Sequence, residues 1–137
     1  AQESRGLGDV YKRQLQKTSD SLTSRMALLP RYMEANGLDA NAHIIKRLEG
    51  EGGNEELIGC LKVILKEEVS HVYKGDKWFK FACKKEGIDE KSYFDIILNL
   101  YPNSFKNVRE INEKDRLKAG FSEEELWQIK NFSKERS

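Results

Sequence analysis

From Leu57 to Ala82, apolar or small residues fall at Leu57, Leu61, Ile64, Gly75, Trp78 and Ala82, in a register of four- and three-residue steps. Glu68 and His71 fill the two remaining places of that register. The spacing predicts one seam of a long helix turned toward a partner helix. Asn54 caps it, Glu55 and Glu56 suit its positive end, and Gly87 ends it after Glu86. A second apolar row runs through Ile58, Leu65, Val69, Val72 and Phe79. Lys62, Lys66, Ser70, Lys74, Lys77, Lys80 and Lys84 form a solvated outer face.

The same periodicity predicts a helix over 18–36, with Leu22, Met26, Leu29 and Met33 inward and Gly37 as its stop. Pro30 lies inside that pattern and is expected to bend the helix or force a bulge, because it lacks a backbone donor. A short helix from Asp39 to Gly50 should bury Ile44, Ile45 and Leu48, and Gly50, Gly52 and Gly53 then reverse the chain. Asp89 starts a helix over 90–100. Residues 103–109 are a loop. Asn112 caps a short helix to Ala119, and Ser122 with Glu125 reads as a capping box for a last helix carrying Leu126, Trp127 and Ile129. No strand pattern or repeat appears, so the class is all-α.

Two segments stand apart from the domain, which occupies 15–132. Residues 133–137 read as a frayed tail. Residues 1–14 show no apolar periodicity, and Asp9-Val10-Tyr11-Lys12-Arg13-Gln14 reads as the translated mosaic-end adapter of a sequencing library. They are set aside as non-native, which implies a parent protein continuing upstream.

The candidate chemistry lies in the seam. A carboxylate and an imidazole at i and i+3, both directed at apolar packing, need a metal or a hydrogen-bonded network to be stable there. Glu34, on the helix predicted over 18–36, offers a second carboxylate, although taken alone it reads as an exposed helix glutamate. One nitrogen with several oxygens suits iron or manganese, and zinc is compatible. Glu-x-x-His alone is a weak signal, and the seam around it makes it stronger. His43 lacks a partner at that spacing and reads as a surface histidine.

Composition narrows the rest. The chain has 137 residues, 24 basic and 23 acidic, with a net charge of +1. That balance gives no electrostatic basis for nucleic acid or membrane binding. No apolar run is long enough to span a membrane, and there is no signal peptide pattern. Cys60 and Cys83 sit on one helix, roughly 34 Å apart at 1.5 Å per residue. They cannot bridge each other and read as reduced, buried thiols of a cytoplasmic protein.

The chain resembles a bacterial ferritin-like family known as domain of unknown function 455. The resemblance rests on 25–31 (RMALLPR), 34–39 (EANGLD), 66–72 (KEEVSHV), Trp78-Phe79, and Asn112 with 116–121 (RLKAGF). It implies a ferritin-like helical bundle truncated to its C-terminal half plus short C-terminal helices. It also implies a carboxylate-bridged di-iron or manganese centre, with Glu34 as the third-helix ligand and Glu68 and His71 as the fourth-helix pair. Such centres take a Glu from each of two helices and Glu-x-x-His from each of two others. This chain would hold half of that set. Two resolutions follow: an inactive fragment, or a homodimer in which two copies rebuild the site through exposed helix faces. The expected activity of the parent is oxidation or oxygenation of an unknown substrate. Iron handling is one alternative. The other is a metal-free interaction module, with Glu68 and His71 paired to each other or to Arg25 or Arg31.

Overall fold

The computed structural model describes residues 21–105 and 110–136, with the side chains of 133–136 left out. The expectations for 1–14 and for 106–109 fall outside the described residues. The fold is all-α, and the described residues contain no strand. In chain order it has α1 (Leu22–Met26), a π-helical stretch (Ala27–Met33), α2 (Glu34–Glu51), α3 (Glu55–Glu86), a 3-10 turn (Glu90–Ser92), α4 (Tyr93–Leu100), α5 (Glu113–Lys118) and α6 (Glu123–Arg136).

The first three elements are one continuous rod antiparallel to α3. This corrects the division of the region into two helices. Gly37 does not stop the rod, because the chain stays helical through it and α3 lies alongside: a Cβ on Gly37 would sit 4.0 Å from Glu68 Cγ. Asp39 is likewise no helix start. Its carboxylate receives Arg116 Nε and Nη2 at 3.0 and 2.6 Å and the Asn112 backbone N–H at 2.8 Å, so α5 is tied to the middle of α2.

Pro30 produces the predicted bulge, as a π-helix centred on it. The burial pattern shows why the rod needs one. Thr23, Ala27, Arg31 and Ala35 are all buried and recur strictly every fourth residue. An α-helix of 3.6 residues per turn would rotate such a row by ~40° per step, or ~120° over three steps. A wider turn keeps the row facing α3. The close approach is completed by Gly75, where an added Cβ would meet Pro30 Cβ at 2.5 Å and the Pro30 carbonyl oxygen at 2.9 Å.

On α3 the core row shares only Gly75 and Ala82 with the predicted seam. Val72, Asp76, Phe79 and Cys83 are buried together with Gly75 and Ala82. Leu57, Ile64 and Trp78 of the seam are 50, 49 and 60 % exposed. The two apolar rows are adjacent on the helix surface, and the side taken by the rod and by α4 decides which is covered. Ile44 and Trp127 also face outward, while Ile45, Leu126 and Ile129 enter the core. Cys83 is buried and Cys60 exposed, both as free thiols, so the expectation that both are buried holds for Cys83 alone.

Several helix ends fall where expected. Asn112 Oδ1 accepts from Asp115 N at 3.2 Å. The Ser122–Glu125 box closes in both directions, Ser122 N to Glu125 Oε1 at 2.9 Å and Glu125 N to Ser122 Oγ at 3.1 Å. Asn54 holds the cap position of α3, but its side chain bonds the Gly52 carbonyl instead of a helix N–H. The core itself is aromatic where α3, α4 and α6 meet: Tyr93 packs edge-on to Phe79 and to Phe121, and Phe94 stacks on Phe105.

Candidate functional site

Glu34 is the first residue of α2 after the π-helix, and Glu68 and His71 are successive-turn neighbours on α3. Glu68 Cγ lies 4.0 Å from where a Cβ on Gly37 would sit, which places the Glu68 side chain beside the turn that follows Glu34. The carboxyl of Glu34 is held above its ordinary range, first by partial burial, then by the negative charge of Glu68, with His71 pulling the other way. The three groups therefore share one electrostatic neighbourhood. His71 Nδ1 lies 3.8 Å from Glu68 Oε2, too long for a hydrogen bond and close enough for charge attraction when the imidazole is protonated.

The site is a rim, not a sealed core. The side chains of Glu68 and His71 are 25 and 58 % exposed. This corrects the expectation that both point into apolar packing, and the cause is the shift of the core row described above. Among the described residues, no three His, Cys, Asp or Glu side chains form a group that could hold a metal ion, so Glu34, Glu68 and His71 are not gathered into a ligating arrangement. By residue type alone, two carboxylates and an imidazole are donors that a hard or borderline cation accepts.

A family model described as "Protein of unknown function (DUF455)" matches residues 9–127. The chain belongs to the DUF455 family. The match begins inside the 1–14 segment. The chain is also 37% identical over 112 residues to a protein of Haemophilus influenzae (strain ATCC 51907 / DSM 11121 / KW20 / Rd) named "Uncharacterized protein". That alignment covers 81% of the chain and 38% of the relative, so the chain spans well under half of the relative's length. No solved structure matches. No helix among the described residues is long and apolar enough to cross a membrane.

Next to the candidate ligands, this DUF455 chain buries a charged cluster. Arg31 is 1 % exposed. Its Nε donates to Asp76 Oδ1 at 2.7 Å, and Nη1 and Nη2 donate to the two oxygens of Glu125 at 2.6 and 2.8 Å. The guanidinium carbon lies 4.1 Å from the ring centroids of both Tyr93 and Phe121. Lys80 Nζ takes the other Asp76 oxygen at 2.8 Å. Gly120 permits this packing: its φ is +102°, and a Cβ there would meet Asp76 Oδ2 at 2.1 Å. Burial pushes the Glu125 carboxyl up, but the hydrogen bonds and charge of Arg31, with the Ser122 cap, outweigh it and hold the group below its ordinary range. Burial also opposes the charge on Arg31, and Glu125 more than restores it.

Arg31 is thus committed to Asp76 and Glu125, which corrects the expectation that it might serve as a partner of Glu68 or His71. The sequence signals for this cluster were separate and local: Arg31 within RMALLPR, and Glu125 within the capping box. Nothing in either indicated that they meet across 94 positions.

Proposed function

We propose that this DUF455 chain supplies half of a carboxylate–histidine metal centre in a ferritin-like bundle, with Glu34, Glu68 and His71 as ligands. The parent protein is then a di-iron or manganese redox protein acting on an unidentified substrate. The observation that supports the reading is the position of Glu68: its Cγ lies 4.0 Å from where a Cβ on Gly37 would sit, in the turn after Glu34, and His71 follows one turn further along α3. Two carboxylates and an imidazole offered from facing helices are donors of the kind that iron or manganese takes.

Within the site, Glu34 and Glu68 offer oxygens and His71 offers a ring nitrogen; none is assigned an acid–base role. Gly37 leaves the Glu68 side chain room along the rod. Bound iron would supply oxygen or peroxide activation. The test is the iron and manganese content of the protein purified without added metal, followed by oxygen uptake after reduction. Stoichiometric metal with uptake supports a redox role. Metal without uptake moves the reading to iron handling. Protein free of both metals rejects the centre.

A metal-free interaction module is the second reading. It is favoured by the exposed apolar residues Leu57, Val63, Ile64, Trp78 and Phe81 on α3, a surface that partner helices would cover. It is also the reading in which the 3.8 Å Glu68–His71 contact is sufficient in itself.

A further inference from the structure

We infer that Glu125, on the last helix, is a positioning residue for Glu34: acting through Arg31, it locks the π-helix that sets the rotation of Glu34 relative to Glu68. The functional meaning of the lock rests on the reading of Glu34 as a ligand; its mechanical part does not.

The π-helix is the weakest geometry in the rod. Wide turns of this kind are rare and occur in single-turn insertions, commonly at functional sites. Pro30 removes a donor from this one. Removing the extra residue would rotate everything downstream by about 100°, one residue's worth of an α-helix. Glu34, the first residue past the stretch, would then leave the side of the rod that faces Glu68.

The lock is built from three separate elements. Arg31 comes from the π-helix, Asp76 from α3 and Glu125 from α6. Charged hydrogen bonds of 2.6–2.8 Å fix three guanidinium N–H groups. The rings of Tyr93 and Phe121 at 4.1 Å fix its plane. Glu125 Oε1 also accepts the Ser122 N–H, so one carboxylate holds both the start of α6 and the turn of the rod. Both anchors lie close to the site in sequence: Arg31 precedes Glu34 by three residues, and Asp76 follows His71 by five. A change at α6 is therefore transmitted to the candidate ligands through Arg31 and its bond to Asp76.

The test uses the full chain with Glu125→Gln, which keeps the shape and removes the charge. Ile129→Ala, a cavity on the same helix, is the control for general destabilisation. In metal-free protein, amide hydrogen exchange over residues 31–38 is expected to quicken at least tenfold in Glu125→Gln, with residues 57–66 of α3 at wild-type rates. Ile129→Ala should show no such focus. With Mn²⁺ alone as probe, followed by electron paramagnetic resonance, Glu125→Gln should bind at least tenfold more weakly and Ile129→Ala as wild type. Phe121→Leu, which removes one ring face and keeps every hydrogen bond, gives a milder form of both effects if Glu125→Gln does not fold. Exchange over 31–38 no faster in Glu125→Gln or Phe121→Leu than in Ile129→Ala overturns the lock. Absence of Mn²⁺ binding to the wild type overturns the metal reading instead, while the exchange result still decides the lock.

Discussion

Gly75→Ala and Gly59→Ala make the same chemical change on the same helix and should have opposite effects. Both glycines lie inside α3, where replacing Gly by Ala relieves backbone entropy and adds about 0.8–1 kcal/mol to an exposed helix. At Gly59 a new Cβ meets nothing within 4 Å, so the full gain is expected. At Gly75 the new Cβ would fall 2.5 Å from Pro30 Cβ, 2.9 Å from its carbonyl oxygen and 3.1 Å from its carbonyl carbon. Carbon contacts are comfortable at about 3.5–4.0 Å, so the helices must separate by roughly 1 Å. Two of the three obstacles are backbone and cannot rotate away. Nor can the rod slide freely, because Arg31 and Asp76, the residues that follow Pro30 and Gly75, are bonded at 2.7 Å. Overpacking of this kind costs about 1–3 kcal/mol. After the propensity gain, Gly75→Ala should be destabilised by up to about 2 kcal/mol, and because both variants share that gain the overpacking alone puts them about 1–3 kcal/mol apart. Urea denaturation at neutral pH, with m-values checked for equality, measures the difference. A Gly75→Ala protein as stable as Gly59→Ala would refute the close approach of the π-helix to α3.

Arg31→Ala should cost about 3–5 kcal/mol in the same assay, because it leaves Glu125 buried without its counter-ion; a loss below 1 kcal/mol would contradict the cluster. The two perturbed acids should act on stability with opposite signs. Glu125 is held low in the fold, so its contribution is present above the ordinary glutamate range and is lost as pH falls through its folded value. Glu34 is held high, so it opposes folding at neutral pH: metal-free Glu34→Gln should be the more stable protein at pH 7, with the gain vanishing in acid where wild-type Glu34 is protonated. Thermal melts from pH 3 to 8 check both. Thiol titration should find Cys60 reactive in the folded protein. Cys83 should react only on unfolding, since burial, reinforced by the charge of Glu90, pushes its thiol up to about 11.

Local chemistry was readable from the chain. The Ser122–Glu125 box, the Asn112 cap and the bulge at Pro30 each follow from residues within a turn of one another. Long-range geometry was not. The choice between two adjacent apolar rows on α3 depends on where the rod lies, and so the seam through Leu57, Ile64 and Trp78 was assigned to the interior. Gly37 carries a stop signal that the packed helix overrides. Asp39 looks like a cap until Arg116, 77 positions away, is placed against it. Glu68 and His71 were placed in the interior by the same row assignment and lie on the rim instead, while Glu34, which taken alone reads as an exposed helix glutamate, is exposed.

Metal titration of the site itself bears most directly on the central claim. Mn²⁺ binding to the wild-type chain should be compared with Glu34→Ala, His71→Ala and the combined Glu34→Ala/Glu68→Ala/His71→Ala protein, with Glu67→Ala as the exposed neighbour control. Wild type and Glu67→Ala should bind one ion with equal affinity, each single site variant should bind at least tenfold more weakly, and the triple variant should show no specific binding. Equal Mn²⁺ affinity in the wild type and the triple variant would contradict the assignment of these three side chains as ligands.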